Sequence, residues 1–366
     1  RNASKASALV GDVPGSTRLL DESLALLDSP TLIDDDTRFE RAHLLWQSGY
    51  LVLYTDPATA RQRFAKSLEL YREIDCKWGV ASALLGLGRA ARGVDALDDA
   101  RHALVSSLAL HRELGNSHGE TETLATLGGL AIRQARFEEA EHLIQESLSI
   151  TPETDHFGIA FGLGFLGSAR LHTGQFEKAK VSLKECIVLH KELGMRGYRL
   201  HWRTYLGLVY LHTGRYRTAR TQAELILARA QELAYDRGIS MGLVLLGQVA
   251  IVEGDCAEAL HHLEEAPDEF FPDAISMREP AHLAMLGLAA RGLDRRVEAG
   301  QHLLSSLDAA RRVQQFMELM VSLAGVALLL ADEGRVEKAV ELYTLASRYP
   351  FVANSCWFED AIGRHI

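Results

Sequence analysis

The stretch LHTGQFEKAK at residues 171–180 returns forty positions later as LHTGRYRTAR at residues 211–220. Charge varies between the two copies, whereas the Leu, His, Thr, Gly, aromatic and Ala positions are kept. A catalytic motif occurs once in a chain, but a structural unit that stacks on copies of itself recurs at a fixed period. The two copies therefore predict a repeat architecture.

The period extends along the whole chain when it is aligned on the Ala near the end of the motif. This Ala recurs at Ala60, Ala100, Ala140, Ala179, Ala219, Ala259, Ala299 and Ala339. Mostly apolar or small residues follow it at four and seven positions, which gives an i, i+4, i+7 stripe on one face of a helix. Twelve positions before it, a small residue lies in a second helical pattern. Each repeat is therefore predicted to be a pair of closely packed helices.

Glycines and prolines mark where these helices end. Gly174, Gly214, Gly254 and Gly334 stand between the two helical patterns of their repeats, where a helix ends by entering the left-handed conformation. The eight prolines fall within or between repeats at turns, and proline inside a helix costs about 3 kcal/mol. The sequence predicts an all-α fold.

The segment YLGLVYLHTGRYRTA at residues 205–219 resembles the tetratricopeptide repeat (TPR). The motif positions are occupied by Gly207, Tyr210, Gly214, Tyr216 and Ala219. The resemblance covers the whole chain and implies a right-handed α-solenoid of about nine helix-turn-helix repeats of ~40 residues. This period is longer than the usual period of the family. In its long period the chain resembles the repeats that follow the ATPase module of STAND-type signalling proteins and transcription activators.

The domain organisation predicted from the period is a single solenoid over residues 1–366, truncated at both ends. Residues 1–29 are interpreted as a partial first repeat, and residues 350–366 as the start of a further repeat. Because that last repeat would have no second helix, we expect Trp357 and Phe358 to lie on an exposed apolar face.

Composition excludes several classes of protein. The formal net charge is −10, so the chain as a whole does not attract nucleic acid. The longest apolar stretches are shorter than the roughly 18 residues that a membrane helix needs, and the first residues do not form a signal peptide. Four dispersed cysteines predict neither a disulfide framework nor a metal site, and we interpret the protein as cytoplasmic.

No pattern in the sequence supports catalysis or a cofactor. The stretch GLGFLG at residues 162–167 fits GxGxxG in letters, but it lies within a helical pattern instead of between a strand and a helix. HExxH and Walker motifs do not occur. The sequence predicts a binding protein without cofactors or metal ions.

The resemblance implies that partners bind on the concave face of the solenoid, which the first helix of each pair lines. The positions that it assigns to this face hold Arg89, Arg92, Gly129, Arg133, Phe161, Gly164, Ser168, His172, His201, Thr204, His212 and Gln248. Small, aromatic and cationic side chains together are suited to a ligand pocket.

Each feature of this predicted site has a structural alternative. The glycines can permit close approach of a ligand or of a neighbouring helix. A stripe that includes Arg133, His172 and Arg291 can bind an anionic or polyhydroxylated ligand, or can complement the helix dipoles. The loop around Phe270 and Phe271 can dock a partner or fold back on the core.

Two functional hypotheses follow. In the first, the chain is the sensor or interaction region of a larger cytoplasmic signalling or transcription regulator, which receives a small-molecule inducer or a protein or peptide and acts on the remaining domains of its parent protein. In the second, it is a docking scaffold for proteins or peptides without small-molecule input. A closed pocket in the central repeats would favour the first, and an open groove the second.

Overall fold

The computed structural model describes residues 13–27, 36–53, 56–94, 96–233, 235–266, 279–312 and 316–366. Within these ranges the chain forms helices and turns and no β-strand. It divides into two compact units. The first contains the described residues up to Leu130 together with Glu146–Thr151, and the second contains Ala131–Gln145 and the described residues from Pro152 onward.

The helices alternate along the chain between two roles. The first helices of the pairs, called A helices below, are α2 (Arg38–Val52), α4 (Lys77–Gly93), α6 (Ser117–Arg133), α8 (His156–His172), α10 (Arg196–His212), α12 (Asp236–Glu253), α14 (Glu279–Gly292) and α16 (Phe316–Asp332). The B helices are α1 (Val13–Leu26), α3 (Pro57–Glu73), α5 (Leu97–Glu113), α7 (Phe137–Ile150), α9 (Phe176–Glu192), α11 (Tyr216–Glu232), α13 (Cys256–Glu264), α15 (Arg296–Arg312) and α17 (Val336–Ala346). The eight A–B pairs and α1 in the described ranges fit the prediction of about nine repeats, and the all-α solenoid class is confirmed.

The two helices of a pair meet where the sequence places a small residue on the A helix. A Cβ atom added to Gly167 of α8 would lie 2.5 Å from Leu183 Cγ of α9, and one added to Gly287 of α14 would lie 2.6 Å from Leu303 Cγ. Both leucines are fully buried. Glycine therefore lets the leucine of the partner helix fill the space that a side chain would take, as the sequence predicted.

A buried serine joins the helices of several pairs at a second point. The Ser107 hydroxyl of α5 donates to the carbonyl oxygen of Ala81 in α4 at 2.8 Å, and Ser306 of α15 donates to that of Pro280 in α14 at 2.6 Å. Both serines are fully buried, so the hydrogen bond satisfies a hydroxyl that water cannot reach. The small residue seven positions after the repeat Ala is thus a polar contact in these pairs.

The turns within the pairs confirm the predicted glycine stops. Gly174 and Gly334 have φ of 69° and 76°, in the left-handed region. Ala135 and Asp294 take the same conformation in two turns that lack glycine, with φ of 56° and 58°. The turn geometry therefore persists where the glycine pattern does not.

The last residues differ from the expected start of a further repeat. They form two short helices, α18 (Pro350–Ala353) and α19 (Cys356–Ala361), and a 3-10 turn, instead of one A helix of repeat length. Trp357 is 1% exposed and Phe358 is fully buried, so the expectation of an exposed apolar face is wrong. Both side chains join the hydrophobic core of the second unit, which removes their apolar surface from water. We call residues 350–366 the tail.

Candidate binding surface on the A helices

The tail crosses the C-terminal ends of successive A helices of the second unit. Asn354 Nδ2 donates to the carbonyl oxygen of Gly174, just after α8, at 3.4 Å. Ser355 Oγ lies 2.8 Å from His212 Nδ1 at the end of α10, and Trp357 Nε1 donates to the carbonyl oxygen of Gln248 in α12 at 3.0 Å. Further on, Asp360 and Arg364 border a cavity of about 350 Å³ shared with Arg291 of α14 and Leu328 of α16. The tail therefore lies along this row of helix ends in chain order.

His212 is at the centre of the tail contact. Its ring is stacked on Phe176, with centroids 5.7 Å apart, and meets the edge of Phe351 at 4.7 Å. The Ser355 oxygen also accepts a hydrogen bond from the backbone N–H of Phe358, so this hydroxyl joins the tail backbone to His212. Burial lowers the pKa of His212 to about 3. The residue is thus an uncharged ring beneath the tail, not a cation facing a ligand.

His172, one repeat earlier, is also neutral. Its Nδ1 donates to the carbonyl oxygen of Ser168 at 2.7 Å, and its ring is stacked on Phe137 at 5.3 Å. Phe137 in turn meets the edge of Phe316, the first residue of α16, at 5.9 Å. Burial lowers the pKa of His172 to about 4. The histidines of the opening motif therefore do not contribute positive charge at neutral pH.

The arginines of the predicted cationic stripe have carboxylate neighbours in the second unit. Arg291 makes two hydrogen bonds to Asp332 at 2.7 and 2.8 Å. The charge of Arg133 acts on Glu318, whose pKa burial nevertheless raises to about 7. Of the predicted cationic stripe in this unit, His172 and His212 are therefore uncharged, and the charge of Arg291 is balanced by Asp332.

In the first unit, Arg89 links three A helices. Its Nε donates to Thr126 Oγ1 of α6 at 3.2 Å, its guanidinium lies 3.9 Å from Glu122, and it lies over the ring of Tyr50 in α2 at 5.9 Å. The Arg89 side chain is 12% exposed. Arg92, one turn further along α4, is half-buried. Arg89 thus joins neighbouring repeats on the predicted face.

The small residues of the predicted site lie in packed positions. A Cβ on Gly164 would be 2.4 Å from the Trp202 ring of α10, so this glycine permits contact between neighbouring helices. Gly129, Ser168 and Thr204 are buried as well. The helix-packing explanation for Gly164 is therefore the one that the geometry supports.

A cluster of rings, half-buried except for the buried Trp202, occupies the first parts of α8 and α10, and we call it the aromatic face. It consists of Phe157, Phe161, Phe165, Tyr198, His201, Trp202 and Tyr205. Phe161 meets the edge of Phe165 at 4.8 Å, and His201 meets the edge of Tyr205 at 5.2 Å. Of the predicted residues, Phe161 and His201 lie in this face beside Gly164, while His172, His212 and Gln248 lie along the row of helix ends.

Sequence reasoning missed the side chains that the tail supplies. Ser355, Trp357 and Asp360 do not belong to the repeat pattern, and their only signal was an aromatic pair beyond the last complete repeat. The predicted partner loop at Phe270 and Phe271 lies outside the described residues.

Two further observations limit the chemistry of this surface. Among the residues that the structure describes, His, Cys, Asp and Glu side chains form no group of three that could hold a metal ion. Within the same ranges, every helix is too short or too polar to cross a bilayer.

Comparison with known proteins gives the fold. No family model matches the chain, and no curated protein matches it either. A solved Rap protein complexed with competence and sporulation factor is similar, with a TM-score of 0.66 and 14% identity over 89% of this chain and 91% of that one. NprR in complex with its cognate peptide NprX has a TM-score of 0.60 and 13% identity, over 89% and 96%.

A third similar structure is a STAND protein with a tetratricopeptide repeat sensor from Pyrococcus horikoshii. Its TM-score is 0.52 and its identity 11%, over 88% of this chain and 49% of that one. At such identities the likeness concerns the arrangement of helices and not the residues that bind. Together with the glycine–leucine packing of the helix pairs, it shows that this chain has the fold of the tetratricopeptide-repeat solenoids.

Proposed function

We propose that this chain is a binding region that takes a peptide or an extended segment of a partner protein on its A helices. The observation that carries the proposal is the tail, because a non-repeat segment already binds the ends of three A helices of the second unit and borders a cavity with two more. A surface that anchors backbone and aromatic side chains in this way has the chemistry for a peptide ligand.

The aromatic face is the part of these helices that we propose for a partner. Its rings other than Trp202 are half-buried, and they lie in the N-terminal parts of two helices whose C-terminal ends the tail covers. Exposed aromatic edges and faces bind apolar and cationic side chains, and aromatic residues dominate the energetics of many interfaces. The rings of Phe161 and His201 are the contacts that we assign to the partner.

The finer proposal is that the chain serves as the sensor of a larger signalling or transcription regulator. Support comes from the similar solved structures, which include a sensor of a STAND protein and NprR with its cognate peptide. A scaffold without small-molecule input is the second candidate. It is favoured by the way the tail fills the row of helix ends with polypeptide.

The test is selection of displayed random 15-residue peptides on the purified intact chain, followed by affinity measurement. We expect Phe161→Ala and His201→Ala to weaken the selected peptides at least about tenfold, as loss of an interface anchor does. Val188→Ala, on an exposed position of the B helix α9, is the matched control and should leave affinity unchanged. Failure to select any peptide, or peptides that respond only to the α9 variant, would contradict the proposal.

A further inference from the structure

We propose that the tail is an intramolecular ligand, and that the row of A-helix ends beneath it is a second peptide site which opens when the tail leaves. This inference rests on the proposed function and adds to it the chemistry of a partner. That partner is a peptide with a hydroxyl residue, an adjacent pair of aromatic residues and an acid in the spacing of Ser355, Trp357, Phe358 and Asp360.

The tail is built as a segment separate from the repeats. It lacks the glycine, alanine and leucine pattern of the A–B pairs, and its helices have four and six residues. Helices of this length do not persist in water by themselves, so their structure depends on the surface to which they bind. Only Ser347–Tyr349 join α17 to α18, and Arg348 is exposed. The tail thus has the properties of a peptide that folds on its binding site.

Recognition of the tail combines side-chain and backbone contacts. The Ser355 hydroxyl bonds to His212, the Trp357 indole N–H bonds to a main-chain carbonyl, and the Tyr216 hydroxyl donates to the Asp360 carboxylate. Ser355 also accepts from the backbone N–H of Phe358 and so starts α19. These contacts set the order of residues that the row of helix ends accepts.

Burial of the aromatic pair determines which competitors can displace the tail. Trp357 is 1% exposed and Phe358 is fully buried, so a competing peptide has to supply rings of similar size in the same places.

The experiment cuts the covalent link between the tail and the repeats but keeps the tail in the sample. A specific protease site is inserted after Arg348 in the full chain, the folded protein is cut, and a fluorescent synthetic peptide of residues 349–366 is added. We expect the labelled peptide to exchange into the cut protein and to saturate in fluorescence anisotropy, whereas uncut protein takes up none. A Trp357→Ala peptide should bind at least about tenfold more weakly, as expected for a buried aromatic anchor.

The matched control peptide carries Glu359→Gln, because Glu359 is exposed between two anchoring residues. It should bind like the unchanged peptide. The proposal is overturned if the cut protein stays folded without exchanging its tail, if release of the tail abolishes the helical circular dichroism signal, or if the Trp357→Ala peptide binds equally well. Peptides selected on the intact chain test the aromatic face separately, so failure of exchange leaves the proposed function standing.

Discussion

Two histidines of the repeated motif show how position in the fold decides the chemistry of a residue. His172 and His212 occupy the same place in successive repeats. One donates to the carbonyl oxygen four residues earlier, and the other faces a serine of the tail. Both pKa values are lowered by burial, so both rings remain neutral at physiological pH. The sequence located these residues, but it did not reveal that other side chains would cover them.

Replacing His212 with Gln should make stability less dependent on acid. Its folded pKa is about 3 against an ordinary value of 6.5, so between these limits the unfolded chain binds a proton that the folded chain does not. The free energy of unfolding therefore falls as pH falls below 6.5, by about 2 kcal/mol for this residue at pH 5. Urea unfolding of both proteins at pH 7 and pH 5 measures the change.

The control is His102→Gln, because His102 is exposed on α5. Between pH 7 and pH 5, the free energy of unfolding of this variant should fall by as much as that of the unaltered protein. Glu318 affects the pH dependence of stability with the opposite sign. Its pKa is raised from 4.5 to about 7 in the folded chain, so the stability that this group contributes at low pH is lost as pH rises from 4.5 to 7. The comparison between proteins removes this common contribution. An unchanged pH dependence in His212→Gln would show that the ring is not buried neutral.

At the scale of the helix pair, the contact between a glycine and a leucine sets how closely the helices approach. Gly167 and Leu183 were both predicted from the period, and the structure places them in direct contact. Gly207 departs from this arrangement because its B helix has the smaller Ala223 at the leucine position. There Leu245 of the next A helix fills the space, with its Cδ2 2.4 Å from a Cβ added to Gly207. The period predicted the close approach but not which helix would supply the leucine.

Gly167→Ala should destabilise the protein by about 1 to 3 kcal/mol, because the added methyl group overlaps the Leu183 side chain. Leu183→Ala alone should cost about 2 to 5 kcal/mol through the cavity that it leaves. The double variant should lose less than the sum of the two, since the smaller side chain makes room for the methyl group. Urea denaturation of the four proteins gives this interaction energy.

Gly300→Ala is the control for the effect of alanine on a helix. Gly300 lies within α15, and a Cβ added there meets nothing within 4 Å. We expect this variant to be stabilised by roughly 0.5 to 1 kcal/mol through helix propensity alone. Additive effects at Gly167 and Leu183 would indicate that the two positions are not in contact.

At the scale of the whole molecule, each compact unit is a stack in which helix pairs contact their neighbours, and the tail is the exception. It joins the core of the second unit at residues far apart in sequence, such as Gly174, Gln248 and Leu328. In repeat proteins stability is approximately a sum of repeat and nearest-neighbour contributions. A segment that touches many repeats at once therefore connects their stabilities.

Trp357→Ala should destabilise the second unit by about 3 to 5 kcal/mol, as expected for loss of a buried Trp. We expect hydrogen exchange to become faster in α8, α10 and α12, with protection of α3 and α4 in the first unit unchanged. Trp78→Ala is the control, because Trp78 is 40% exposed and its removal leaves no comparable cavity. Equal loss of protection in α3 and α4 would contradict the separate stability of the two units.

The sequence by itself determined the repeat, its helix pairs, the glycine turns and the residues on the A helices. These follow from local rules, since helix periodicity, left-handed glycine and close packing act over a few residues or one repeat. Only the tertiary structure decided that His172 and His212 are neutral, that Arg291 is paired with Asp332, and that the tail covers the A-helix ends. The contacts of Arg291 with Asp332 and of the tail with the helix ends join residues 41 to 180 positions apart that share no pattern. Burial sets the protonation of the histidines only after the chain has folded.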